Sequence, residues 1–193
     1  MKLTHNCRNT EEIIYDTQLN TGADIGVAKV KGKGKYPTYE KILSTEETVI
    51  KLEEVLDKWN DEVDCLNDIV ILSTVNYSLS SASHLSQKWQ DKIQILTKDN
   101  VLNQNPRKIL FSDISSYKGL DKPIVIVIDI EKTMEAMTKD QQEDKDFVIK
   151  SIESFLYVAM TRSNSILWIT VSPEFGNFLK EQQKINIQKM TKN

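Results

Sequence analysis

The run PIVIVID, residues 123–129, places five consecutive β-branched residues between a proline and an aspartate. Nothing in it alternates polar with apolar, so the strand it forms must be buried on both faces, as strands are in a parallel sheet covered by helices. Further apolar runs recur at DIVILST (68–74), KIQILT (92–97), KILFSDI (108–114) and SILWITV (165–171). Between and after them, SHLSQKWQ (83–90), FVIKSIESFLYVAMT (147–161) and EFGNFLKEQQ (174–183) read as helical segments. Strands interleaved with helices predict an α/β fold with a mainly parallel sheet between helix layers. In such sheets, ligands are expected in the loops beyond the carboxyl ends of the strands.

Working outward, the spacing predicts a helix at TEEIIYDTQL (10–19), short strands at IGVAKV (25–30) and PTYEKIL (37–43), and a long amphipathic helix at STEETVIKLEEVLDKW (44–59). Ser44 and Thr45 are its candidate caps, with Glu46 and Glu47 in the first turn, where the helix dipole favours negative charge. The connector KGKGKYP (31–37), with three lysines and two glycines, reads as a solvated turn. The polar, methionine-dotted KTMEAMTKDQQE (132–143) reads as a surface excursion before the next helix. Trp59, Trp89 and Trp168 lie within apolar patterns and read as core residues rather than stacking platforms.

The chain has 193 residues and no linker long enough to divide it, so one domain over residues 1–193 is expected. A net charge of -3 argues against a protein whose main task is to coat nucleic acid, although it leaves room for a local basic strip. No apolar run approaches the ~20 residues of a membrane helix, and no secretory pattern opens the sequence, so no membrane partner and a cytoplasmic location are expected. Cys7 and Cys65 lack the paired spacing of a zinc site, and His5 and His84 have no partners at ligand spacing.

Three segments place polar residues at expected strand or helix ends. In NCRNT (6–10), Asn9 or Thr10 reads as a helix cap, with Arg8 solvated. In DISSYKGLDKPIVIVID (113–129), Lys118 suits a phosphate, Gly119 a positive φ or close approach, and Asp121 a hydroxyl, while a plain Gly-Pro turn accounts for the same residues. In FLYVAMTR (155–162), an apolar helix ends in Thr161 and Arg162, which is also where a helix dipole favours a cation. Asp129 and Glu131, at the end of the apolar run, are carboxylates of a kind that gather at metal sites; they receive no assignment.

Taken together, NCRNTEEI (6–13), SYKGLDKPIVIVI (116–128) and FLYVAMTRSNSILWIT (155–170) resemble, in order, motifs IV, V and VI of superfamily 1 helicases of the UvrD/Rep type. The third is the most specific, matching Y-V-A-x-T-R at Tyr157, Val158, Ala159, Thr161 and Arg162. The strand and loop around Asn76 resemble a further segment of the family. The chain departs from the family pattern at Asp113 and Ser115, where T-x-H is usual, at Asp121, where glutamate is usual, and at SIESF (151–155).

The resemblance implies a RecA-like, P-loop NTPase-type three-layer αβα sandwich, corresponding to the second motor domain of such a helicase. It implies that ATP with Mg2+ is held mainly by an N-terminal RecA-like domain, the partner of this one. Arg162 would then be the arginine finger, with Arg8 a second cation at the same phosphate. Lys118, Gly119, Asp121 and Thr161 would contribute to the nucleotide site, Asp121 accepting from the ribose. Asn76, Ser115 and Ser116 would line a track for single-stranded DNA, RNA not being excluded, and no metal is assigned to the chain itself. The sequence contains no G-x-x-x-x-G-K-[ST] phosphate loop, so the chain alone is expected not to hydrolyse ATP. The alternative is a helicase-like interaction module without ATPase activity.

Overall fold

The computed structural model describes residues 5–30, 34–117, 119–139 and 145–191. The strands are β1 (His5–Asn6), β2 (Val27–Ala28), β3 (Thr38–Lys41), β4 (Ile69–Ser73), β5 (Ile93–Ile95), β6 (Ile109–Asp113), β7 (Lys122–Ile128) and β8 (Ser163–Val171). The helices are α1 (Glu11–Thr21), α2 (Thr45–Glu62), α3 (Gln87–Gln90), α4 (Ile130–Lys139), α5 (Lys145–Met160) and α6 (Pro173–Met190). Short 3-10 turns occupy Leu66–Asp68, Tyr77–Leu79 and Ser81–His84.

Six strands form one sheet in the order β3-β8-β7-β4-β6-β5, every pair parallel, while β1 and β2 form a separate two-stranded parallel ribbon. The continuous apolar runs divide between the two faces by the period-two alternation of strands. Ile124, Ile126 and Ile128 of β7 face one core with Leu52, Leu56 and Trp59 of α2 and with Trp89. Val125 and Val127 face the other with Leu156 and Met160 of α5 and Phe175 and Leu179 of α6. Strand β4 repeats the rule, with Ile69 and Ile71 on the first side and Val70 and Leu72 on the second. The result is a RecA-like three-layer αβα sandwich. Pro123 has no N–H to donate, and the register between β7 and β8 shifts between Lys122 and Ile124 around it.

Ser44 caps α2 as expected, its Oγ accepting from the Glu47 amide at 3.2 Å while Glu47 Oε2 accepts from the Leu43 amide at 2.7 Å. Three readings change. Residues 130–139 form helix α4 rather than an irregular excursion: Ile130 is buried and Met134 packs on the core one turn later, a stripe that the surrounding polar residues disguise. Residues 140–144 lie outside those described. The expected helix over 83–90 breaks into a 3-10 turn and the four-residue α3, because serines here bond to nearby backbone, Ser80 Oγ accepting from Ala82 N at 3.2 Å. The connector is mixed: Lys35 and Tyr36 are exposed as expected, but Gly34 is packed, since a Cβ there would lie 2.2 Å from Thr10 Oγ1 and its amide donates to Glu12 Oε2 at 2.9 Å, while residues 31–33 lie outside those described. Among the described residues, no helix is long and apolar enough to cross a membrane.

Candidate functional site

Arg8 and Arg162 come from opposite ends of the sequence and line one cavity of about 340 Å³, with Asn9, Asp24, Tyr157 and Thr161. This cavity lies at the amino ends of β7 and β8, since Arg162 directly precedes β8 and its carbonyl accepts from the amide of Lys122, the first residue of β7. The expectation of a ligand site beyond the carboxyl ends is therefore not met by these residues. The reason is local: the turn after α5 must re-enter the sheet at the start of β8, and it carries Thr161 and Arg162 with it.

Arg162 is held from three sides. Its Nε donates to Val158 O at 3.2 Å, its Nη1 donates to Leu120 O at 3.3 Å, and its own carbonyl accepts from the Lys122 amide at 3.0 Å. Burial, and then the nearby Arg8 guanidinium, lower its pKa from the ordinary arginine value. Two cations this close favour an anion between or beside them. Arg8 Nε lies 3.6 Å from Asp121 Oδ2, both side chains about 40% exposed. Gly119 sits at φ +79, the left-handed conformation expected of it, with open space where a Cβ would be. Thr161 Oγ1 donates to Tyr157 O at 2.7 Å, so its hydroxyl closes the last turn of α5. Lys118 lies outside the described residues.

Of the two candidate caps, Thr10 takes the N-cap position of α1, without a side-chain cap bond, whereas Asn9 is 1% exposed and reaches across the chain. Its Nδ2 donates to Ser163 O at 2.6 Å and to Thr161 O at 3.3 Å, while its Oδ1 accepts from Asn6 Nδ2 at 2.9 Å. Asn6 Oδ1 accepts in turn from the amides of Arg8 and Asn9. The segment bearing Arg8 is thereby fastened to the turn bearing Arg162. No spacing in the sequence marks such a pin. Tyr117, also unremarked, is fully buried with an unpartnered hydroxyl; burial first and then the Asp121 charge raise its pKa, against the opposing pull of Arg162.

Asn76, Ser115 and Ser116 lie elsewhere, beyond the carboxyl ends of β4 and β6, whose last residues Ser73 and Asp113 are register partners. Asn76 is exposed and caps its own turn, Oδ1 accepting from Ser78 Oγ at 2.8 Å and from Leu79 N at 3.3 Å. Ser115 Oγ and Ser116 N donate to Asp113 Oδ1. Burial pushes the Asp113 carboxyl up, but these hydrogen bonds outweigh it and hold it below its ordinary value. Ser116 also borders a second cavity of about 420 Å³ with Lys98, Tyr117 and Leu120. The structure thus separates the candidates into two groups, cationic residues at the amino ends of the strands and polar residues at the carboxyl ends.

No family model matches the chain. No curated protein matches it either. Among solved structures, it is similar to the C-terminal domain of a possible DNA helicase from Lactobacillus plantarum WCFS1, with 16% sequence identity and a TM-score of 0.59 over 90% of this chain and 92% of that one. At that identity the likeness shows the shared fold.

Proposed function

We propose that this chain is the second RecA-like motor domain of a UvrD/Rep-type superfamily 1 DNA helicase, and that it acts on ATP bound to a separate N-terminal RecA-like domain. The observation that carries the reading is that Arg8 and Arg162, the motif IV and VI arginines of the resemblance, line one cavity. A guanidinium is always charged and meets phosphate oxygens bidentately, so two of them in one cavity suit a polyphosphate. The likeness to a helicase C-terminal domain supports the same reading.

The mechanism follows from what the side chains can do. Arg162 and Arg8 stabilise the charge that develops on the γ-phosphate during transfer. Arg162 is already oriented by Val158 O and Leu120 O, so little reorganisation opposes the reaction. The exposed Arg8–Asp121 pair is worth only ~0–1 kcal/mol, so exchanging it for phosphate contacts costs little. Asp121 is then released to accept from the ribose, and Lys118, Gly119 and Thr161 border the nucleotide. Magnesium would be held by the partner domain together with the phosphate loop. Asn76, Ser115 and Ser116 would contact single-stranded DNA at the other rim, so that domain closure over ATP shifts the grip on the strand.

In the intact protein that carries this chain, Arg162→Ala should lower ATP turnover by ~10³-fold or more with the thermal unfolding midpoint preserved. Turnover close to the wild type overturns the reading. A protein with no ATPase activity at all would instead leave an interaction module.

A further inference from the structure

Strand β7 is followed directly by Asp129, which is fully buried and has φ +66; among the described residues it is the only non-glycine in the left-handed region. A buried carboxylate in a conformation that L side chains avoid persists only where its surroundings over-determine it. Here they do. Oδ2 accepts from Ser73 Oγ at 2.7 Å and Ser80 Oγ at 2.6 Å, and Oδ1 accepts from Ser81 Oγ at 2.5 Å and Ser81 N at 3.1 Å. The backbone carbonyl of Asp129 accepts from Thr74 Oγ1 at 2.6 Å. Lys132 Nζ, 3.0 Å from Oδ1, also donates to Leu79 O at 2.8 Å.

These partners have a pattern. Apart from Lys132, every donor named belongs to residues 73–81, and Lys132 itself ties the carboxylate to Leu79. The segment is fastened at its beginning by Ser73 and Thr74, at its end by Ser80 and Ser81, and near its tip through Lys132. What it presents outward is Asn76, Ser78 and Leu79, the last 62% exposed. An apolar side chain could fill the space beneath this loop, but only a multivalent acceptor can hold both ends of it at once. Strain accepted at the end of a central strand, in order to rigidify an exposed loop on the same rim as Ser115 and Ser116, indicates a surface that must keep its shape.

We infer that Asp129 is a positioning residue: it fixes the 74–79 loop as a preformed contact for the single-stranded nucleic acid that the proposed motor tracks. The inference rests on that functional reading and adds to it the residue that shapes the strand-binding rim. Preorganisation of this kind acts on strand affinity, because a loosened loop must be ordered at each binding event.

The test uses the intact protein and a dT oligonucleotide, with ATP turnover measured against oligonucleotide concentration. Asp129→Asn keeps the shape and tolerates positive φ, but it removes the charge and one acceptor. It should raise the half-saturating oligonucleotide concentration about tenfold, with turnover at saturating strand within about twofold of the wild type. Hydrogen exchange at the Leu79, Ser80 and Ser81 amides should quicken. Lys132→Gln, which removes one tie and leaves the carboxylate hydrogen-bonded, should act in the same direction and less strongly, and it decides the matter if Asp129→Asn does not fold. Unchanged half-saturation in a folded variant whose loop amides exchange faster overturns the inference while leaving the motor reading intact. A loss confined to saturated turnover also overturns it. Wild-type turnover in Arg162→Ala overturns the motor reading and this inference with it.

Discussion

Asn9 bridges to two backbone carbonyls at the turn between α5 and β8 while its own oxygen is satisfied by Asn6, an arrangement only a neutral amide can complete. Replacement by alanine leaves two buried carbonyl oxygens without that donor and should destabilise the chain by ~1–3 kcal/mol in urea or thermal unfolding. Replacement by aspartate should cost more, since a carboxylate would then face both carbonyl oxygens and the Asn6 amide could offset only part of the repulsion. If Asn9→Asp unfolds at the same midpoint as Asn9→Ala, or later, the amide is not acting as this pin. The consequence for the site is geometric. Arg8 shares a turn with Asn9, so the two guanidiniums keep their separation only while the pin holds.

At the scale of elements, α1, β3 and α6 meet through a polar network rather than a dry seam. Tyr39 of β3 donates to Asp16 of α1, Asn20 Nδ2 donates to Tyr39 Oη at 2.9 Å, and Gln183 of α6 donates to Asn20 Oδ1 at 2.9 Å. Burial raises the Asp16 carboxyl from 3.8 to about 6, with the hydrogen bonds from Tyr39 and Asn20 pulling it partly back. A carboxyl whose folded pKa is raised stabilises the fold when protonated. That contribution is complete below pH 3.8 and is lost as pH rises through about 6. Asp16→Asn cannot ionise and still accepts from Tyr39. Its stability relative to the wild type should therefore climb between about pH 4 and pH 7, by at most ~3 kcal/mol. Unfolding midpoints measured across that range check it, and a difference independent of pH contradicts it. Glu131, pushed up to about 7 chiefly by burial, titrates in both proteins and cancels from the comparison.

The same scale shows what a reader of the sequence could see. The inner strands β4, β6, β7 and β8 were legible because double-sided burial writes itself as a nearly continuous apolar run, and α2 because Ser44 and its glutamates mark its start. Helix α4 was not, since its apolar stripe begins with Ile130, adjoining the strand run, and its remaining members are methionines scattered among charges. The two arginines were legible only as residue types at helix ends and through their resemblance to helicase motifs. Asn9 and Asp129 act through contacts made across most of the chain or between separate strands, for which local pattern carries no mark.

Seen whole, the molecule hangs on β7, which has the amino-end cavity at one end and the Asp129 mooring at the other, and whose alternate residues belong to different cores. Ile126 lies in the α2 core and Val127 in the α5–α6 core, both fully buried. Because the strand is common to both layers, a cavity opened on either face weakens the whole sheet. Ile126→Ala should lower stability by ~2–5 kcal/mol and Val127→Ala by rather less, as fewer atoms are removed. In urea each should still give a single transition with an unchanged slope, coincident by far-ultraviolet circular dichroism and tryptophan fluorescence. The probe is apt because Trp59, Trp89 and Trp168 all sit in the α2 core, so independent melting of the α2 layer would move the fluorescence ahead of the circular dichroism, and independent melting of the α5–α6 layer would leave it behind. Separated transitions in Ile126→Ala would show two cores that fold apart. Coincident ones would mean that the cavity at the amino ends and the loop at the carboxyl ends belong to one cooperative unit, as the proposed role of transmitting closure to a strand requires.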